Sequence, residues 1–305
     1  MNFNFLFYTY TKLFRKRPFS VPKNGKNIKN PKLKEAHILH ANGHPDKAQI
    51  LYKKSIAAEI TAGKTKVNLV ASNRAALKSW PFFVTNSPNI AYLRIPKCAC
   101  TSIGNLLFQI DEGNPFENEP NQIRGVNVHS YFLKNKTYHD VSIFGDYFKF
   151  TVIRDPIKRF ISGYRNRVLY HNALLNLVEA KHIHKVPTLN EFALNLEFYF
   201  RRNLEIEHHF APQGFYLNGD LSFLDAVYKI ENLAEVEKKL SQISKRTLTP
   251  VLSQTGGPKI KLGDLNKRAF RKLIDFYKSD YKLFNEFYSI EEITSEFLAE
   301  SGKNV

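Results

Sequence analysis

The chain has 305 residues, 43% of them hydrophobic, with 25 Phe and 15 Tyr, which suits one medium domain plus an appendage and excludes disorder as a description of most of it. The formal net charge of +17 is uneven: residues 1–80 hold 16 Lys/Arg against 3 Asp/Glu, so the rest of the chain carries only about +4. The excess therefore belongs to an N-terminal appendage, which either contacts an anionic membrane surface, acidic polymer or nucleic acid, or is a solvated arm with no specific partner.

The only two cysteines, Cys98 and Cys100, sit two apart, which excludes a disulfide framework and suits a reducing compartment. No apolar run reaches the roughly 18–20 residues needed to span a bilayer. The best candidate, Phe3–Phe14, is broken by Asn4, Thr9, Thr11 and Lys12 and lacks a signal-peptide cleavage pattern. Followed by Arg15, Lys16 and Arg17, it reads as an interfacial aromatic segment.

Residues 1–34 form a basic arm that ends in a Pro- and Lys-rich linker. Residues 35–80 then read as a helical hairpin. Ala36, Leu39 and His40 share one face, Gly43-His44-Pro45-Asp46 breaks the chain, and Ala48, Leu51, Tyr52, Ser55 and Ile56 mark the second helix. The run loosely resembles half of a tetratricopeptide repeat, but a solenoid needs about three such units and only one is present.

Residues 81–305 hold the main domain. Residues 90–95 read as an apolar strand, and Ile103, Leu106, Leu107 and Ile110 as the buried face of the helix that follows. Residues 112–146 read as loop-rich. A second strand, 147–153, runs into Asp155-Pro156, an N-cap with Pro at the first helical position. Ile157, Phe160, Ile161, Tyr164 and Val168 then form a buried stripe. Thr188 and Glu191 form a capping box, 226–230 reads as a third strand, and 231–242, 264–287 and 290–300 as helices. Strands alternating with helices predict an α/β fold with a central parallel sheet flanked by helices.

Two segments carry chemistry. Pro96-Lys97-Cys98-Ala99-Cys100-Thr101-Ser102 joins a strand to a helix N-terminus, where unpaired amides and the helix dipole favour an anion. Lys97 adds a full positive charge, Thr101 and Ser102 add hydroxyls, and the small residues let a phosphate approach the backbone. This is not a Walker A loop, because Lys97 opens it and Gly is absent. The bland alternative is a surface lysine in an ordinary connection. In the second segment, Arg154 stands at the carboxyl end of a strand, where open α/β sheets bind ligands. Arg159, Ser162 and Asn166 lie on a face away from the buried stripe, so Arg154 and Ser162 can grip one phosphate from two sides. Alternatively, Arg159 and Ser162 are a wet helix face and Arg154 a structural ion-pair partner.

The pair R-I-P-K-C-A-C-T-S and V-I-R-D-P-I-K-R-F-I-S-G-Y resembles the Golgi-type carbohydrate sulfotransferases, including heparan 2-O- and chondroitin sulfotransferases. Three later stretches are similar to that family in matching order: Glu207–Gln213, Tyr228–Leu233 and Phe276–Phe284. The resemblance spans about residues 89–288. It implies a P-loop-like α/β fold, with 3′-phosphoadenosine 5′-phosphosulfate (PAPS) as co-substrate, no metal, and a carbohydrate or glycoconjugate acceptor. It further implies that Pro96–Ser102 hold the 5′-phosphosulfate, that Arg154 and Ser162 hold the 3′-phosphate with Arg159 beside them, and that His129 is the general base. Lys97 would stabilise the leaving group, and His208 and His209 are runners-up for substrate contact or packing. His182 and His184 read as surface residues.

Golgi members carry a membrane anchor and lumenal disulfides, and this sequence shows neither pattern. The expectation is therefore a cytoplasmic enzyme with membrane association through the basic arm as an added reading and a Golgi membrane location as the alternative. Two rivals stand: a non-catalytic binding protein using the basic N-terminus, and a P-loop kinase. The kinase lacks a Gly-rich loop with a matched acidic Mg²⁺ ligand. Nucleic-acid binding has charge behind it and no motif.

Overall fold

The computed structural model describes residues 82–116, 128–135, 137–138, 144–175, 184–250 and 258–302. The basic arm expected at 1–34 and the hairpin expected at 35–80 lie outside the described residues.

Five strands form one sheet: β1 (Phe82–Asn86), β2 (Asn89–Leu93), β3 (Thr137–Tyr138), β4 (Phe148–Ile153) and β5 (Ala226–Lys229), in the order β3-β1-β2-β4-β5. β2, β4 and β5 are parallel as expected, but β1 pairs antiparallel with both β2 and β3, so the sheet is mixed. The cause is local: only Ser87 and Pro88 separate β1 from β2, and a connection that short permits only a hairpin. Leu93 pairs with Thr151, and Ile153 with Lys229, so the chain leaves β2 and β4 side by side at the same carboxyl edge. The Thr151 hydroxyl donates to the Leu93 carbonyl at 2.8 Å and ties the two strands where they end.

Helices cover the sheet. α1 (Cys100–Glu112) buries the expected stripe of Ile103, Leu106, Leu107 and Ile110, and ends at Gly113 with φ 84°. α2 (Val128–Asn135) lies inside the stretch expected to be loop-rich. It holds because Val128 and Phe132, one turn apart, are both buried and Phe132 stacks on Phe83 at 4.6 Å. A Cβ on Gly104 would stand 3.1 Å from Val128 Cγ1, so that glycine lets α1 and α2 approach.

α3 (Pro156–Gly163) starts as expected, with Asp155 Oδ1 accepting from the Ile157 and Lys158 amides at 2.9 Å. It continues directly into a π-helical segment, Tyr164–Tyr170. The capping box at Thr188 and Glu191 opens α4 (Leu189–Leu194). α5 (Leu196–Arg202), α6 (Leu204–Phe210) and α7 (Gln213–Tyr216) follow. α8 (Leu233–Ser244), α9 (Lys267–Leu283) and α10 (Ile290–Ser301) start or end within a few residues of the expected helices. Phe160, Phe192 and Phe210 are fully buried and join α3, α4 and α6 through ring contacts of 5.0–5.7 Å. Each such ring contributes about 1.5–3 kcal/mol on burial. Among the described residues no helix is long and apolar enough to cross a membrane.

Candidate active site

The loop after β2 and the strand end after β4 meet because their strands are parallel neighbours. Lys97 and Ala99 both adopt left-handed backbone conformations, with φ 68° and 56°. For a residue with a Cβ that conformation costs about 1–2 kcal/mol, so surrounding contacts must hold it. Several do. The Cys98 amide donates to the Ile95 carbonyl at 3.3 Å. The buried Cys98 thiol donates to Gln213 Oε1 at 3.1 Å. Burial pushes that thiol up to about 12, so it stays protonated and able to donate.

Gln213 is the hub that joins the two halves. Its Oε1 also accepts from the Arg154 amide at 3.0 Å, and its Nε2 donates to the Arg154 carbonyl at 2.7 Å. Asp280, fully buried on α9, holds Gln213 in turn by accepting from the Gln213 and Gly214 amides at 2.7 and 2.8 Å. Similarity to a Pro-Gln stretch and an Asp-bearing helix was visible in the sequence, but the roles of Gln213 and Asp280 were not.

Arg159 corrects an expectation. It was placed among the phosphate ligands, yet it is 0% exposed. Its Nε donates to the Pro96 carbonyl at 2.8 Å and its Nη1 to the Ala211 carbonyl at 2.7 Å. The guanidinium also lies over the Tyr216 ring at 5.7 Å. α3 turns that side chain inward, where loop carbonyls need donors, so Arg159 braces the loop from beneath. Asn166 is likewise 5% exposed rather than on a wet face.

The remaining expected groups converge. Arg154 is half-buried, its Nη1 reaches the Lys97 carbonyl at 3.5 Å, and its buried Nε has no partner among the described residues. Ser162 and Ser102 are half-buried. α1 begins at Ala99 without a side-chain cap, which leaves its leading amides for an external acceptor. Lys97 Nζ donates to Asn166 Oδ1 at 2.8 Å. Burial, with help from Arg167, Arg154 and Arg159, lowers Lys97 to about 8 against the opposing pull of Cys100. A cationic loop, a partly unpartnered guanidinium and uncapped helix amides fit a ligand with several anionic oxygens.

His129 sits at the start of α2 rather than in a loop. Its Nε2 lies 3.0 Å from Thr101 Oγ1 and 4.0 Å from Cys100 Sγ, and its Nδ1 lies 3.3 Å from Arg94 Nη1. Burial, then Arg94 and Arg167, push it down to about 3, so the ring is neutral at physiological pH. A guanidinium can only donate, so the Nδ1 lone pair faces Arg94 and the ring proton sits on Nε2 toward Thr101. This is a resting arrangement rather than a base-ready one. His209 is 9% exposed with no hydrogen bond to its Nδ1 among the described residues, and burial holds both His208 and His209 well below the usual range. His184 is exposed, 3.8 Å from Glu191, and His182 lies outside the described residues.

A family model described as "Sulfotransferase family" matches residues 80–289. The chain belongs to the sulfotransferase family. No curated protein and no solved structure gives a significant match. The matched stretch contains both halves of the site and the residues that clamp them together. α10, the last helix, lies just beyond it.

Proposed function

We propose that this sulfotransferase moves the sulfuryl group of PAPS to a hydroxyl of a carbohydrate or glycoconjugate and releases 3′-phosphoadenosine 5′-phosphate. One observation carries the reading. The Lys97 loop and Arg154 leave neighbouring parallel strands and are clamped to each other through Gln213, so two anion-binding groups stand at a fixed separation. A donor with a phosphosulfate at one end and a 3′-phosphate at the other needs two such groups.

In this reading Lys97 and the α1 amides take the 5′-phosphosulfate, and Arg154 and Ser162 take the 3′-phosphate. The bond from sulfur to the 5′-phosphate oxygen breaks as a bond from sulfur to the acceptor oxygen forms. Charge builds on the departing phosphate oxygen, where the Lys97 ammonium offsets it. The acceptor proton goes to His129. That role requires Arg94 to turn from Nδ1 toward the incoming sulfuryl oxygens, which frees the ring to carry its proton on Nδ1 and to accept through Nε2.

Isothermal titration with 3′-phosphoadenosine 5′-phosphate, beside ATP and ADP with and without Mg²⁺, tests the donor. The expected result is metal-independent binding that needs the 3′-phosphate and is lost in Arg154→Ala. Equal binding of ATP with Mg²⁺, or no binding at all, would overturn it. The acceptor is then found by screening glycans with the loaded enzyme.

A further inference from the structure

α3 does not end as an ordinary helix. At Tyr164 it widens into a π-helical segment, in which the His171 amide donates to the Asn166 carbonyl at 3.0 Å, five residues back. Such segments are rare, and they occur often at functional sites because one extra residue per turn re-aims the side chains. Here the re-aimed residues are Asn166 and Arg167. Asn166 is buried and its Oδ1 accepts from Lys97 Nζ across 69 positions of sequence. Arg167 turns to Glu205, with Nη1 to Oε1 at 3.3 Å.

We propose that Asn166 is a positioning residue for the reaction: it holds the Lys97 ammonium at the mouth of the β2–α1 loop, and the π-helical segment exists to deliver it there. The role in transfer rests on the donor reading above, whereas the contact itself does not.

An ammonium on a four-carbon stem has many rotamers, and leaving-group stabilisation requires it at one point. Among the described residues no carboxylate pairs with Lys97, whose ammonium is held by the Asn166 amide oxygen. Among the described residues the charged and titratable groups facing it are Cys100 from α1, Arg154 from the β4 end, Arg159 from α3, Arg167 from the π-helical segment and His209 from α6. A carboxylate in place of Asn166 would neutralise the ammonium with a full counter-charge and compete with the phosphosulfate. A neutral amide oxygen fixes direction without cancelling charge.

Three variants in the full chain test this: Asn166→Ala, Asn166→Asp and Asn166→Ser. Asn166→Asp has the same shape as the native residue, so it reports even if Asn166→Ala folds poorly. Competitive acetylation read by peptide mass spectrometry titrates Lys97 in the protein without nucleotide. The expected result is a Lys97 titration moved up by about one unit or more in Asn166→Asp, because a new anion at hydrogen-bond distance favours the charged amine. In sulfuryl transfer, Asn166→Ala should lose about tenfold to a hundredfold in kcat, the scale of a misplaced catalytic group, while affinity for 3′-phosphoadenosine 5′-phosphate changes by less than about threefold. Asn166→Ser, which keeps a shorter acceptor, should fall between wild type and Asn166→Ala. A Lys97 titration unmoved in Asn166→Asp, or a kcat in folded Asn166→Ala within about twofold of wild type, would overturn the proposal. If the wild type fails to bind 3′-phosphoadenosine 5′-phosphate, the donor reading falls, and the acetylation experiment still decides whether Asn166 holds Lys97.

Discussion

In the proposed reaction Lys97 and His129 divide the chemistry between a cation and a neutral ring, and burial sets the state of both. Removing water from Lys97 brings its titration down to about 8, which is still above neutrality, so the ammonium remains the main form there. The same burial, with Arg94 and Arg167 nearby, keeps His129 neutral. Their variants should therefore lose far more in turnover than in folding or in donor binding. Lys97→Ala should lose about 10²–10³ in kcat, as for removal of one group that stabilises developing charge. His129→Ala should lose about 10²–10⁴, the usual range for a general base. Steady-state kinetics beside titration with 3′-phosphoadenosine 5′-phosphate checks both, and near-wild-type turnover in His129→Ala removes it as the base. The types and spacing of these residues were readable in the sequence. The inward turn of Arg159 was not, because a helical wheel shows which residues share a face but not that loop carbonyls stand against that face.

The elements that make the site are short connections held by distant side chains. Gln213, at the start of the four-residue α7, satisfies the Cys98 thiol and both backbone groups of Arg154. Gln213→Ala leaves those buried groups unpaired, at about 1–3 kcal/mol. The expected outcome is a lower Tm together with weaker binding of 3′-phosphoadenosine 5′-phosphate, since both halves of the anion site loosen at once. Thermal melts and titration read the two effects, and an unchanged Tm would show that another group takes over. Local signals placed most elements: the Asp155-Pro156 start, the Thr188 capping box and the stripe on α1 are all where the sequence puts them. α2 was missed because it is short and, among its residues with described side chains, only Val128 and Phe132 are deeply buried, so its stability comes from Phe83 and α1 rather than from its own pattern.

Across the whole domain the buried titratable groups predict sensitivity to acid. His129 is held at about 3, and His208 and His209 well below 6.5, all chiefly by burial. As pH falls below 6.5 the unfolded chain takes up protons at these three rings and the folded chain does not, so stability falls. Two carboxylates oppose this: burial raises Asp280 to about 6 and raises Asp155 as well, and their protonation on acidification favours the folded state. Three histidines outweigh two carboxylates, so Tm should drop between about pH 7.5 and about pH 5.5. His209→Leu should shrink that drop by removing one of the three. A Tm that holds or rises over this interval would refute the assignment.

The sequence alone determined the α/β class, the parallel centre of the sheet, the two segments that meet at the strand ends and the sulfotransferase family, because these rest on periodicity, caps and short motifs that act over a few residues. It did not determine that β1 and β3 extend the sheet antiparallel, that Arg159 braces the loop, that Gln213 and Asp280 clamp the two segments, or that Asn166 reaches Lys97. Apart from the β1–β2 hairpin, each of those joins residues dozens of positions apart. A side chain's partner across such a distance is set by which carbonyls and amides the packed elements leave unsatisfied, and that demand exists only once the chain has folded.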